Sequence, residues 1–252
     1  MISQKWSKLI RSLQQKKYRK AEQLFFVEGE KSVLELLHSA WKVRAVFGTE
    51  QFLQQHHALC TKADLIQQCT EHELVQVGTF ASNNAALAVA EIPVASPFKE
   101  QPGDWVLVLD QINDPGNLGT IIRVADWYGI RHVLCSSDTV DLYNPKVIAA
   151  AKGSFLRVKL YYQDVLPVLE QSTMPIYGAY LEGESVHQLK LSKAGGYLVM
   201  GNEANGINPA LKPVISHPVT IPAFSDTESL NVGIATAILC DNLKRLSVSS
   251  MV

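Results

Sequence analysis

The sequence predicts an α/β protein made of two units, the second built on a parallel sheet. Three observations carry this expectation. After residue 97, β-rich runs recur as WVLVLD (105–110), RHVLCSS (131–137), FLRVKLY (155–161), PIYGAYL (175–181), YLVMG (197–201) and HPVTIP (217–222). Most are separated by segments of helical composition (117–129, 144–152, 164–171), and a helical apolar pattern closes the series at 230–246. Such alternation argues for a parallel sheet with helices on both faces. The second observation is EIPVASPFKEQPGDW (91–105), whose three prolines and lack of periodicity read as a connection. Third, the segment before it alternates helical patterns (4–24, 30–40) with short apolar runs, VRAVFG (43–48) and ALAVAEIP (86–93). That is a small α/β unit of ordinary domain size, so the division is placed as 1–97 and 98–252.

Composition bounds the function. With 252 residues, 47% apolar and 19% charged, the chain is globular rather than disordered. No apolar run is long enough for a membrane span, and the basic N-terminus lacks the apolar core of a secretory leader. The four cysteines show no CxxC and no spacing that would hold a metal with the histidines, so they read as reduced thiols in a cytoplasmic protein. The net charge of −1 hides an asymmetry. Residues 1–20 carry Lys5, Lys8, Arg11, Lys16, Lys17, Arg19 and Lys20 and no acidic residue. This is either a surface facing phosphates or the solvated face of a short helix.

In a parallel sheet, ligands bind beyond the carboxyl ends of the strands, and three loops leaving those ends stand out. They are QINDPGNLGTIIR (111–123), NEANGI (202–207) and AFSDTESLN (223–231). Each is rich in Gly, Asn, Asp, Glu or Ser, residues that give tight turns and short polar groups near a ligand. The glycines of DPGNLG do not fit a GxGxxG dinucleotide fingerprint, and no P-loop, GxSxG or HExxH occurs. Of the histidines only His217 is near one of the loops. Taken singly, each loop also reads as a turn or a helix cap.

Together the three loops resemble the three motifs of the SpoU (TrmH-type) RNA ribose 2′-O-methyltransferases, within the SPOUT superfamily. DPGNLGTIIR places Asn117, Gly119 and Arg123; LVMGNEANGI places Gly201, Glu203 and Gly206; IPAFSDTESLNV places Ile221, Pro222, Ser229, Leu230 and Asn231. The match spans about 104–246. KYRKAEQLFFVEGEKSVLELL (17–37) resembles the opening of the RNA-binding domain, itself similar to ribosomal proteins, that precedes the catalytic domain in rRNA-modifying members. The sequence departs from the family at Ala223 and Ser225, where IPMxG is common, and at Gly233, where Ser is common.

The resemblance implies S-adenosyl-L-methionine as methyl donor and a ribose 2′-hydroxyl of structured RNA as acceptor, with rRNA preferred to tRNA. It implies a deep trefoil knot, a homodimer and no metal. The implied catalytic residues are Asn117, Arg123, Glu203, Ser229 and Asn231. Ala179, Tyr180, Gly201, Ile221, Ala223 and Leu230 would hold the cofactor. The family assigns proton removal to the motif-one arginine, here Arg123. A guanidinium holds its proton tightly, so bidentate binding of a neighbouring phosphate is the other physical role. The alternatives are a tRNA 2′-O-methyltransferase, or a catalytically weak RNA-binding or ribosome-assembly protein of the same fold.

Overall fold

The computed structural model describes residues 1–191, 195–226 and 228–249. It divides into two compact units, one of residues 1–95 with 141–156, the other of 96–140 with 157–252. The boundary in the linker is two residues from the sequence division at 97. The segment 141–156, which the sequence placed with the second unit, packs with the first.

The first unit opens with helices α1 (Gln4–Ser12) and α2 (Lys16–Glu22), where the sequence pattern suggested one continuous helical stretch. Ser3 caps α1, and the turn at Leu13–Gln15 separates the two helices. Strand β1 (Leu24–Glu28) follows, then α3 (Glu30–His38) and β2 (Val43–Gly48). Short helices α4 (Glu50–Gln55) and α5 (His57–Cys60) lead to β3 (Ile66–Gln68), α6 (Glu71–Val77) and β4 (Ala86–Glu91). The sheet order is β1-β4-β2-β3, with β4 antiparallel to both neighbours and β2–β3 parallel. A capping box, Thr70 with Glu73, starts α6. One face of the sheet buries Phe26, Phe47, Leu74 and Leu87. On Phe25, fully buried, the rings of Trp41, Tyr143 and Phe155 converge at centroid distances of 5.8, 4.9 and 6.1 Å. Tyr143 and Phe155 come from the 141–156 segment, whose helix Pro145–Ala151 lies on β1. Aromatic clusters of this geometry add to area burial, which explains why the segment leaves its sequence neighbours.

The second unit is a six-stranded, wholly parallel sheet. Its strands are β5 (Trp105–Leu109), β6 (His132–Cys135), β7 (Lys159–Tyr162), β8 (Ile176–Ser185), β9 (Gly196–Met200) and β10 (His217–Thr220). Each run read from the sequence contains or overlaps one of these strands, but FLRVKLY (155–161) begins too early: Phe155 and Leu156 lie in a 3-10 turn, Ser154–Leu156, that packs with the first unit, and β7 starts only at Lys159. Their order is β10-β8-β9-β5-β6-β7, every pair parallel. The central β5 and β9 are buried along their whole length, as their unbroken apolar runs require. Helices α7 (Pro115–Trp127), α9 (Leu166–Gln171) and α10 (Val232–Ser249) cover the sheet, α8 being the Pro145–Ala151 helix of the first unit. Trp105 Nε1 donates to Ser247 Oγ at 2.9 Å, holding the end of α10 to the start of β5. The linker joins this unit early: Phe98 packs on Tyr161 and His132, and Tyr197 donates its hydroxyl to Glu100.

The chain runs outward from β5 to β6 and β7, then returns to fill the other side with β8, β9 and β10. The order therefore reverses between β5 and β9. Loops leaving two adjacent parallel strands at such a point diverge and open a crevice. All four cysteines are free and buried, and burial pushes the thiols of Cys69 and Cys240 up to about 12. Among the described residues no helix is long and apolar enough to cross a membrane.

Candidate active site

The crevice between the ends of β5 and β9 is built by backbone-level ties. Asp110, buried just past β5, accepts the Asn208 N–H at 2.6 Å, and burial raises its carboxyl above the usual range. Gln111 follows with φ +58, a conformation that costs energy for any residue with a Cβ. Its N–H donates to Ser136 Oγ at 2.8 Å, and its carbonyl accepts from Asn202 Nδ2 at 2.8 Å. Asn202 Oδ1 meanwhile accepts the N–H groups of Ala204 (2.8 Å) and Asn205 (3.3 Å), closing the turn that carries Glu203. Asn202 and Gly206 exchange backbone bonds at 3.0 and 2.8 Å. Gly206 has φ +67, and a Cβ on Gly201 would stand 2.2 Å from the Gly206 carbonyl carbon. Glycine is required at 201 by this close approach and is favoured at 206 by the backbone sign.

Helix α7 starts on Asp114, which accepts the Asn117 N–H at 2.8 Å, with Pro115 in the first turn. Its inner face buries Leu118, Ile121, Ile122 and Ala125, leaving the Asn117 side chain at the crevice. There Asn117 Nδ2 donates to Glu203 Oε1, and Asn231 Nδ2 donates to Asn117 Oδ1 at 2.8 Å. Asn231 Oδ1 in turn accepts from Gly233 N (2.9 Å) and Ile234 N (3.3 Å), capping α10. The series Glu203–Asn117–Asn231 thus links all three loops. Its direction is fixed from both ends. An ionised carboxylate only accepts and helix N–H groups only donate, so each amide between them has one workable orientation. The helix-cap reading of Asn231 and its reading as a crevice residue are both correct, one for each end of the same amide.

Arg123 lies one helical turn beyond Gly119 on α7, exposed, its guanidinium making no hydrogen bond or ion pair with a described residue. Ser229 and Leu230 are exposed and also make no hydrogen bond to described residues, so the structure does not bring Ser229 into the amide series. Gly201 and Ile221 are half-buried and Ala223 exposed. Ala179 and Tyr180 lie where β8 slips against β10: Gly178 pairs Pro218 and Glu184 pairs Val219, leaving 179–183 without ladder partners on that side, although the Leu181 carbonyl accepts from Thr220 Oγ1 at 2.9 Å. His217 is at the opposite end of β10, stacked on Tyr177 at 4.8 Å, a packed imidazole away from the carboxyl edge. Asn202, Asp110 and Gln111 escaped the sequence reading. The Asn-x-x-Asn-Gly spacing signalled a turn, but not that its first amide would reach Gln111.

Comparison with known proteins bears on this geometry. Residues 104–241 match the model of the SpoU rRNA Methylase family, and residues 7–87 match that of the MRM3-like substrate binding domain. The chain belongs to the SpoU rRNA methylase family. The 23S rRNA (guanosine(2553)-2′-O)-methyltransferase RlmP of Bacillus subtilis (strain 168) is 28% identical, covering 93% of this chain and 94% of that one. A TrmH-family structure from Porphyromonas gingivalis is 35% identical with a TM-score of 0.86, over 97% of this chain and 99% of that chain. An AdoMet-bound rRNA methyltransferase from Sinorhizobium meliloti is 26% identical with a TM-score of 0.87, over 97% of each.

The donor set around the carboxyl edge fits the SpoU cofactor. The N–H groups of Ile221, Ala223 and Leu230 donate to no described residue. The stretch Ile221–Phe224 has no charged side chain. Open main-chain donors beside apolar side chains suit an adenine ring and an amino-acid end group. The SpoU position Gly233 also has a local explanation. A Cβ there would stand 3.0 Å from Thr120 Cγ2 and 3.2 Å from Asn231 Oδ1, so glycine lets α10 approach α7 closely.

Proposed function

We propose that this chain transfers a methyl group from S-adenosyl-L-methionine to a ribose 2′-hydroxyl of folded RNA, rRNA before tRNA. The observation that carries the reading is the Glu203–Asn117–Asn231 series, which joins the three motif loops at the switch point of the sheet. The cofactor, when bound, supplies a methyl carbon already activated by its sulfonium. Ile221, Ala223 and Leu230 hold it through main-chain groups, with Ala179, Tyr180 and Gly201 at the neighbouring strand ends.

The protein's remaining task is to position an oxygen and manage its proton. Orientation of this kind contributes roughly 7–11 kcal/mol in favourable cases. Arg123, with its planar fork unengaged, clamps a phosphate beside the target ribose, and that phosphate or a water takes the proton. Glu203 orients Asn117, and Asn117 and Asn231 keep loop and helix start in register. Ser229 contacts the substrate. Residues 1–97 bind the RNA and 98–252 carry out the transfer. The working form is a cytoplasmic homodimer, and the last strand and helix pass through a trefoil knot.

Mass-spectrometric mapping of 2′-O-methyl ribose in rRNA and tRNA, from cells with and without the gene, tests this. One methyl is lost, and wild type restores it while Arg123→Ala does not. Loss from tRNA alone would replace rRNA as the target. An unchanged methyl pattern overturns the enzymatic reading.

A further inference from the structure

The seven cations of residues 1–20 do not form one class. Arg19 is 2% exposed and fully engaged: Nε and Nη2 donate to Asp141 Oδ2 at 3.1 and 2.6 Å, and Nη1 donates to the carbonyls of Leu13 and Gln14 at 2.8 and 2.9 Å. Those carbonyls end α1, so Arg19 fixes the corner at which α2 departs. Arg11 donates from Nε to the Gln76 carbonyl. Lys5, Lys8, Lys16, Lys17 and Lys20 remain exposed, and none is ion-paired with a described residue. On the same unit Lys42 pairs with Asp64, and Arg44 with Asp64 and Glu91, while the scattered Lys31, Lys146 and Lys152 are exposed and, like the lysines of residues 1–20, pair with no described residue.

Helical spacing puts Lys16, Lys17 and Lys20 within about 100° of arc on α2. Glu22, the one acidic residue of α2, falls on the opposite side. Tyr18 is 38% exposed, with Lys17 Nζ 4.7 Å from its ring centroid. Three unneutralised ammonium groups on one rigid corner repel one another in the free protein. A polyanion laid across them relieves that repulsion and releases its counterions. A buried ion pair that holds an otherwise unremarkable turn makes sense if the turn must present those charges in a fixed pattern.

We propose that Lys16, Lys17 and Lys20 form a phosphate-binding surface for the backbone of the RNA substrate. The inference rests on the RNA methyltransferase reading and names where the first unit grips that RNA. The Arg19 corner is its positioning element. Contacts of this type carry affinity rather than base sequence.

The test is binding and methylation of unmodified 23S rRNA, extracted from cells lacking the gene, by the full-length protein. The triple variant Lys16→Gln/Lys17→Gln/Lys20→Gln should reduce the slope of log affinity against log salt by about 2–3, since each neutralised phosphate contributes about 0.9. Its KM for RNA should rise roughly 10-fold or more at physiological salt. All three side chains are exposed and their mutual repulsion is removed, so the melting temperature should not fall below that of wild type. Lys42→Gln/Arg44→Gln is the control for charge alone, and its slope should match wild type. A triple variant with wild-type slope and KM, in an enzyme that methylates the rRNA, overturns the surface and spares the enzymatic reading. Equal slope losses in triple and control variants overturn it as well. A wild-type protein that methylates no RNA overturns both.

Discussion

Two arginines, one in each unit, show how differently the same side chain is used. Arg19 is buried and spends its guanidinium on a carboxylate and two carbonyls. Arg123 is exposed on the helix that carries Asn117, and its guanidinium bonds to no described residue. From sequence both are basic residues in helical segments near candidate RNA-facing regions. The structure separates them by bonding capacity left over. Arg19 has none to offer a ligand and serves the fold. Arg123 has all of it, which leaves it available for the phosphate contact proposed above. Saturation of donors distinguishes the two roles better than residue type or local charge.

The largest effect is expected at Arg19. Removing one partner of a buried ion pair strands the other, so Arg19→Ala should cost about 3–5 kcal/mol in urea unfolding. Arg19→Lys should recover little, because a single ammonium cannot serve Asp141 and two carbonyls in Arg19's geometry. A wild-type unfolding midpoint for Arg19→Ala would end the contrast. Arg123→Lys should do the reverse: unfolding unchanged, with kcat/KM for RNA methylation falling about 10²–10³-fold, the usual size for losing a preorganised electrostatic group. Near-normal turnover would remove Arg123 from both roles considered for it.

Asn202 is a side chain saturated inside the site. Asn202→Asp keeps the acceptor that closes the Glu203 turn and loses the donor to the Gln111 carbonyl. An unmade bond of this kind costs about 1–3 kcal/mol, and since it sits between motif loops it should appear as a kcat loss of about 10-fold. In a Gln111→Gly background, where the left-handed conformation is free of strain, that loss should shrink. An equal loss in both backgrounds would assign Asn202 to something other than holding Gln111. The smallest effect is expected at Gly233→Ser, which presses on the exposed Thr120: at most about 1 kcal/mol of stability, with methylation little altered. A large activity loss there would show that the α7–α10 contact is tuned more finely than its packing suggests.

What sequence could reveal follows the range of the forces involved. The central strands β5 and β9 were legible because burial on both faces writes itself as apolar runs, whereas the edge strand β7 has no fully buried residue and its start was read four residues early. The three loops were legible because turns and caps use few residue types. Strand β1 was not, since LFFVE is too short to separate from the helical pattern before it. The break at Leu13–Gln15 was hidden because Asp141, which fixes it through Arg19, lies 122 residues away. Asn117, Glu203 and Asn231 could be chosen from the motifs, but their hydrogen-bonded order could not. Asn202 was passed over because its partner is a backbone carbonyl, which has no letter in a sequence.

The 141–156 excursion has a consequence for how such a chain is inherited. Phe25 on β1 is closed over by Tyr143 and Phe155, residues encoded in the middle of the catalytic half. A gene split at the linker would yield a front piece with an open hydrophobic face and a rear piece carrying its missing lid. Neither piece is a cassette that can be shuffled onto another protein unchanged. A substitution at Phe25 would have to be accommodated by rings more than a hundred residues downstream.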